Sequence, residues 1–206
     1  MRLTEFYKNT IKDAEEQTAG WSKLYYGVLT KVINDNNFKK VAEVGIGYGA
    51  HAKHILQTTQ VDQLILIDPT KFYPNDMFAD DIMGKIPNVP GNNFNELYDL
   101  INAELSPWKG RYTWHRTESL SITNEQVPTE SLDCVFVDGD HSYEAVRKDL
   151  EFWWKKVRSG GQMLGDDYWM EDVARAVHEF ADAHSLQVDF LYREGSEYKI
   201  FRVKKA

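Results

Sequence analysis

Residues 41–56, VAEVGIGYGAHAKHIL, constrain the fold of this chain more than any other segment. The first four residues have the apolar character of a short buried strand. Three glycines, Gly45, Gly47 and Gly49, separate that strand from a run with helical spacing. Glycine lets the backbone approach a ligand closely, and the first turn of a helix offers unpaired N–H groups. The segment therefore predicts a strand, a turn and a helix that together hold a nucleotide-like ligand.

A second apolar strand, at residues 64–67, ends at Asp68, about 20 residues after Gly47. A carboxylate at that distance suits the two hydroxyl groups of a ribose. Read as G-x-G-x-x-G/A, the residues Gly45, Gly47 and Ala50 match the dinucleotide fingerprint. A nicotinamide-dependent oxidoreductase, using NAD(P), is therefore one interpretation, and a tight turn without any ligand is the simplest alternative.

The same segment fits a second pattern, E-x-G-x-G-x-G, more closely, through Glu43, Gly45, Gly47 and Gly49. This pattern resembles motif I of the class I S-adenosylmethionine (SAM) methyltransferases. The resemblance implies that Glu43 lies near the positively charged methionine end of SAM, where an acidic side chain is favoured. It also implies that the loop after the third strand lines the adenine, which nominates Glu118 and Ser119.

Aspartates follow two further predicted strands. Leu132–Val137 is almost continuously apolar and ends at Asp138, and residues 162–164 lead to Asp166 and Asp167. The carboxyl ends of parallel strands meet at one edge of a sheet, so these side chains are expected to lie close together. Clustered carboxylates repel unless protons or a cation intervene, and an oxygen-only set favours a hard ion such as Mg²⁺.

The stretch DGDHSYEAVRKDL, with GGQMLGDDYW after it, resembles the metal-dependent macrocin-type sugar O-methyltransferases and, more distantly, the catechol-type O-methyltransferases. The resemblance implies that Asp138, Asp166 and Asp167 hold the metal, with Asp138 also at the cofactor and the reacting atoms. It implies a small hydroxylated acceptor, sugar or catechol-like, and SAM as methyl donor.

His141 departs from the macrocin-type pattern, in which an apolar residue usually follows DGD. In catechol-type enzymes a lysine three residues after the metal aspartate serves as base, and His141 occupies that position. An imidazole titrates near neutral pH, so His141 is our candidate general base. The alternative is that it caps the following helix.

The order of elements predicts an α/β fold. Apolar runs of strand length alternate with helical patterns, and residues 188–193 and 198–203 form a terminal hairpin. We expect a Rossmann-like, seven-stranded, mostly parallel sheet with the last strand antiparallel and helices on both faces. Residues 1–36 are predicted to form a helical cap, and the proline-rich residues 69–91 a lid or insertion loop.

Composition sets the outer limits. With 206 residues and 42% hydrophobic residues, the chain suits one domain, and its single cysteine excludes a disulfide within the chain. A net charge of −8 disfavours nucleic acid as a partner. No apolar run suits a membrane span or a signal peptide, which predicts a cytoplasmic protein; a homodimer is compatible with these features. A SAM-binding domain without catalytic activity is a further alternative.

Overall fold

A computed structural model describes residues 3–16, 22–71, 94–192 and 198–206. Its strands are β1 (Lys40–Val44), β2 (Gln63–Ile67), β3 (Tyr112–His115), β4 (Leu132–Val137), β5 (Val157–Gly165), β6 (Asp189–Tyr192) and β7 (Lys199–Lys204). The α-helices in the described ranges are α1 (Leu3–Glu16), α2 (Ser22–Asp35), α3 (Ala50–Thr58), α4 (Phe94–Leu105), α5 (Tyr143–Trp154) and α6 (Glu171–Ala183).

The seven strands form one sheet in the order β3-β2-β1-β4-β5-β7-β6. Strands β1 to β5 pair in parallel, whereas β7 runs antiparallel to both of its neighbours. The predicted Rossmann-like sheet with a reversed last strand is therefore confirmed. The strand order changes direction between β1 and β4, and in such sheets the crevice at the carboxyl ends of these two strands is where ligands bind.

Side chains of each strand alternate between two hydrophobic cores. One core joins Val41, Leu66 and Phe136 to helices α1 to α4, and the other joins Val44 and Val135 to helices α5 and α6. Fully burying one such side chain contributes about 1.5–3 kcal/mol. The sheet is thus covered on both faces, as predicted, and the strand ends that carry polar residues are held from both sides.

Strand β5 differs from the expectation. In the sequence, the helical pattern of residues 143–157 is followed by Gly160 and Gly161, which predicts that these glycines end the helix. In the structure helix α5 ends at Trp154 and both glycines lie inside β5. The register of β5 against β4 shifts here, and Gly160 has a φ of 74°. A Cβ on Gly161 would lie 2.8 Å from the carbonyl oxygen of Asp133. The glycines serve a bulge and a close strand contact rather than a helix end.

Two predicted segments lie partly outside the described residues. Of the predicted lid at 69–91, only residues 69–71 are described, and they have no regular structure. The turn of the terminal hairpin, at 194–196, also lies outside. Helices α1 and α2 occupy the predicted N-terminal cap. Among the described helices, none combines the length and the apolar character needed to cross a membrane.

Candidate active site

The three glycines after β1 have different roles. Gly45 and Gly49 have φ values of 81° and 74°, and a Cβ on them would lie 1.9 Å from the carbonyl oxygen of Asp138 and 2.8 Å from Cγ2 of Ile101. These two positions need glycine because the backbone and its neighbours leave no room. Gly47, with a φ of 50°, has no described atom within 4 Å of the Cβ position. The open side of the loop is therefore at Gly47, where a ligand can approach the backbone.

Asp68, the predicted ribose ligand, braces this loop. Its Oδ2 accepts a hydrogen bond from the N–H of Ile46 (3.0 Å), and its Oδ1 accepts one from the N–H of Thr70 (2.6 Å). Burial raises the pKa of Asp68, while these backbone N–H groups oppose the shift. The Asp68 carboxylate thus holds the glycine loop against the end of β2. Its contact with a ribose stays a prediction.

Glu43 is buried in β1, with 1% of its surface exposed. Its Oε1 lies 3.0 Å from Nδ1 of His51 in the first turn of α3, and the His51 ring stacks on Tyr26. Oε2 of Glu43 is buried without a hydrogen-bond partner among the described residues. Burial raises the pKa of Glu43. A buried oxygen of this kind is suited to accept a hydrogen bond from a ligand or to face a positive charge on it. The contact between Glu43 and the methionine end of SAM stays a prediction.

The loop after β3 uses its two predicted cofactor residues differently. Glu118 is half exposed and pairs with Lys71. Ser119 donates a hydrogen bond to Oδ1 of Asp149 (2.5 Å) and accepts one from Nε1 of Trp153 (2.7 Å). Asp149 is only 6% exposed, and burial raises its pKa to about 6. Ser119 therefore ties the loop to helix α5 through Asp149, a carboxylate to which the sequence analysis assigned no role.

Three side chains converge at the ends of β4 and β5. Nε2 of His141 lies 2.7 Å from Oδ2 of Asp167 and 3.9 Å from Oδ1 of Asp138. One nitrogen and two carboxylate oxygens of this group all lie within 4.8 Å of one another, and each residue is partly buried. Such donors suit a divalent cation. The structure thus brings two of the three predicted metal ligands together with the predicted base.

Asp166, the third predicted ligand, has a different environment. It is 4% exposed and lines a small pocket together with Asp138 and His141. Its Oδ1 accepts a hydrogen bond from the hydroxyl of Tyr198 and one from the N–H of Asp167 (2.8 Å). Burial raises the pKa of Asp166 well above its usual value, and the charges of Asp138 and Asp167 raise it further. The sequence analysis did not predict that Tyr198 belongs to this site. The sequence does not show which end of the last strand lies beside the end of β5.

The environment of His141 determines its charge. Burial lowers the pKa of its imidazole, but the nearby carboxylates of Asp138 and Asp167 outweigh burial and raise the pKa to about 10. The sequence alone left this direction undecided. Between these carboxylates the imidazole is protonated at neutral pH. A cation held by the same carboxylates would oppose the shift, so a role as base depends on the occupancy of the site.

Trp169 is exposed beside this group, with 64% of its surface accessible. Its indole N–H donates a hydrogen bond to Oδ1 of Asp167 (2.8 Å), which fixes the ring against a residue of the cluster. Trp169 is the last residue of the stretch GGQMLGDDYW, but the sequence analysis assigned it no role.

Comparison with known proteins identifies the family and the fold. The family described as a methyltransferase domain matches residues 42–168. An uncharacterized protein of Acanthamoeba polyphaga mimivirus is 26% identical over 164 residues, which are 76% of this chain and 66% of that protein. The chain therefore spans about two thirds of the length of the curated relative it matches.

Solved structures share the fold. An O-methyltransferase from Bacillus cereus, in complex with SAH, is 12% identical with a TM-score of 0.64, covering 98% of this chain and 90% of that one. The O-methyltransferase TomG from Streptomyces achromogenes, involved in tomaymycin synthesis and in complex with SAM, is 11% identical with a TM-score of 0.64, covering 97% and 90%. With the family match over more than half of its length, the chain belongs to the methyltransferase-domain family of class I SAM-dependent methyltransferases.

Proposed function

We propose that this protein is a cation-dependent O-methyltransferase that transfers the methyl group of SAM to a hydroxyl group of a small molecule. The observation that carries the proposal is the convergence of Asp138, His141 and Asp167, of which Asp138 lies directly against the glycine loop. The carbonyl of Asp138 is so close to Gly45 that no side chain fits between them. A donor held by the loop would therefore lie close to Asp138, a member of the group that can activate an acceptor.

The cofactor proposal is supported by the open side of the loop at Gly47 and by the unpaired buried oxygen of Glu43. The two structural neighbours named above contain SAM or SAH. We propose that Glu43 faces the methionine end, Asp68 the ribose, and the loop at Glu118 and Ser119 the adenine. The family match disfavours the oxidoreductase interpretation, since it is a match to methyltransferases.

The chemistry requires alignment and deprotonation. SAM carries an activated methyl group, so the protein must place an acceptor oxygen in line with the C–S bond and favour the anionic form of that oxygen. A divalent cation, when bound, would stabilise the negative oxygen of the acceptor. Asp138, Asp166 and Asp167 are the carboxylates that would hold it, and the neutral form of His141 beside them could serve as a further ligand. A neutral His141 that is not a ligand would instead accept the hydroxyl proton at Nε2.

Titration calorimetry with SAM and with NADH tests the cofactor. We expect SAM binding and no NADH binding; the reverse result would contradict the proposal. Methyl transfer is then measured by mass spectrometry on a panel of vicinal diols, both catechols and pyranosides, with Mg²⁺ or Mn²⁺ and after treatment with EDTA. Turnover that stops in EDTA while SAM still binds supports the cation. SAM binding with no turnover on any acceptor indicates a non-catalytic domain.

A further inference from the structure

Glu43 and His51 form a buried pair that joins the two sides of the glycine loop. Glu43 lies in β1 before the loop, and His51 is the second residue of α3 after it. Oε1 of Glu43 lies 3.0 Å from Nδ1 of His51, and the two side chains are 2% and 3% exposed. A carboxylate oxygen and a ring nitrogen this close share a proton, since without one both are acceptors. The pair therefore links the strand to the helix by a hydrogen bond that is shielded from water.

The bond to His51 uses only one of the two carboxylate oxygens of Glu43. Oε2 is buried and has no hydrogen-bond partner among the described residues. Buried acceptors of this kind are rare in native proteins, because they lose water without gaining another donor. A carboxylate that is held through Oε1 is not free to rotate. The bond to His51 thus fixes which oxygen stays available to a ligand.

His51 also affects the charge of Glu43. Burial raises the pKa of Glu43, the charge and hydrogen bond of His51 lower it, and the charges of Asp138 and Asp68 raise it again. Among these groups, His51 is the one that favours the carboxylate form. That form attracts a cationic ligand, whereas a protonated acid does not.

Two aromatic rings hold the imidazole of His51 in place. The ring of Tyr26 stacks on it, with centroids 4.7 Å apart and planes at 15°, and the ring of Phe136 meets it edge-on at 5.0 Å. Phe136 is a buried residue of β4, whereas Tyr26 is a partly buried residue of α2. Stacked and edge-to-face pairs are the favourable arrangements of aromatic rings. Helix α2 thus supports the ring that in turn holds Glu43.

We propose that His51 is a positioning residue for cofactor binding: it holds the Glu43 carboxylate so that Oε2 accepts a hydrogen bond from the amino-acid end of SAM, and Tyr26 holds the imidazole. The inference rests on the proposed function, which assigns Glu43 to that end of the cofactor. The ammonium group there carries N–H donors, whereas the sulfonium carries none. An unpaired acceptor therefore fits the ammonium group, and a ligand without the amino acid should not depend on His51.

Two substitutions of His51 test whether its N–H group is required. His51→Leu removes the donor, and we expect the affinities for SAM and SAH, measured by calorimetry on the full chain, to fall by about 10- to 100-fold. The affinity for 5′-methylthioadenosine, which has the adenine, ribose and sulfur but no amino acid, should stay within a few-fold of the parent. His51→Asn carries a side-chain N–H near the position of Nδ1 and should recover most of the SAM affinity.

The matched control is His54→Asn. His54 belongs to the same helix, and its ring also packs against Tyr26, with centroids 5.8 Å apart. We expect this variant to bind SAM like the parent, because the bond to Glu43 is intact. A loss as large as that of His51→Leu would show that the effect comes from the helix and not from the pair, and would overturn the proposal.

A double-mutant cycle tests whether His51 acts through Glu43. Glu43→Gln replaces the carboxylate by an amide of similar shape and should weaken SAM binding. In that background His51→Leu should cause a much smaller further loss than in the parent, because the carboxylate that it positions is already gone. Equal losses in both backgrounds would show that His51 acts independently of Glu43 and would overturn the proposal.

Tyr26 gives a second test that leaves the buried pair unchanged. Tyr26→Phe keeps the stacked ring and should bind SAM like the parent. Tyr26→Ala removes the ring and should weaken the binding of SAM but not of 5′-methylthioadenosine. If His51→Leu does not fold, Tyr26→Ala decides the proposal, and parental SAM affinity in that variant would overturn it.

Two further results for His51→Leu would overturn the positioning role. One is parental SAM affinity, and the other is an equal loss for SAM and 5′-methylthioadenosine, which would mark a general distortion of the glycine loop. A loss for SAM but not for SAH would contradict the contact with the ammonium group. Failure of the proposed function is a different result, in which the parent itself binds neither SAM nor SAH and transfers no methyl group.

Discussion

The two halves of the candidate site are built in different ways. The glycine loop between β1 and α3 is fixed by its own backbone, with Asp68 accepting hydrogen bonds from Ile46 and Thr70. At the ends of β4 and β5, side chains from separate segments are held by charge, with His141 beside Asp167 and Asp138. The first half has its shape before a ligand arrives. The second half depends on protons or a cation to balance its carboxylates.

The largest expected effect is the loss of turnover when His141, in the half of the site held by charge, is replaced. His141→Ala should reduce turnover by about 10²- to 10⁴-fold, because a base or cation ligand is lost, with SAM affinity little changed. Steady-state kinetics and SAM titration measure the two effects. As control, His184→Ala removes a surface histidine paired with Glu151. A His141→Ala enzyme within a few-fold of the parent would show that the chemistry does not need the imidazole.

Gly45 joins the two halves, since it lies against the carbonyl of Asp138. Gly45→Ala should destabilise the fold by at least about 3 kcal/mol, because a left-handed φ and a contact at 1.9 Å are both unfavourable for a Cβ. Gly47→Ala, with no described atom near the Cβ, should cost only about 1–2 kcal/mol. Urea unfolding of both variants measures the difference. Equal losses of stability in the two variants would mean that Gly45 does not lie tightly against the carbonyl of Asp138.

Asp68 tests whether the glycine loop is fixed by its own hydrogen bonds. Asp68→Ala should weaken SAM binding by about 1.5–3 kcal/mol, because charge-assisted hydrogen bonds to the loop and the ribose are lost. Asp68→Asn keeps one acceptor oxygen for the loop and should have an intermediate effect. Calorimetric titration with SAM measures both. Unchanged affinity in Asp68→Ala would refute the ribose assignment and the importance of the brace together.

The smallest effect concerns Asp149, which links the β3 loop to helix α5. Burial raises its pKa to about 6 in the folded protein, so the folded state binds a proton more tightly than the unfolded state. Its contribution to stability is therefore present at low pH and is lost as pH rises through about 6. Between pH 5 and pH 7 the parent should lose about 1 kcal/mol from this group. Asp149→Asn should not show this pH-dependent change in the free energy of unfolding, which urea unfolding at the two pH values measures. An identical pH dependence in both proteins would show that Asp149 does not cause it.

The parts of the site that could be predicted are those carried by one continuous segment. Leu132–Val137 was predicted with its final bounds, because an unbroken apolar run followed by DGD has a strong local signal. Gly45, Gly47 and Gly49 were predicted as a turn because the special backbone conformations there belong to the residues themselves. The bulge in β5 was missed, since glycines after a helix also signal its end.

The sequence by itself determined the order of strands and helices, the glycine loop and the aspartates at the strand ends, since each follows from residue type and local spacing. The tertiary structure decided which side chains meet: His141 with Asp167, Ser119 with Asp149, and Tyr198 with Asp166. It also decided the pKa of His141, which depends on burial and on charges from another strand. The physical reason is that burial and Coulomb interactions act across space, between segments whose separation along the chain says nothing about their distance in the fold.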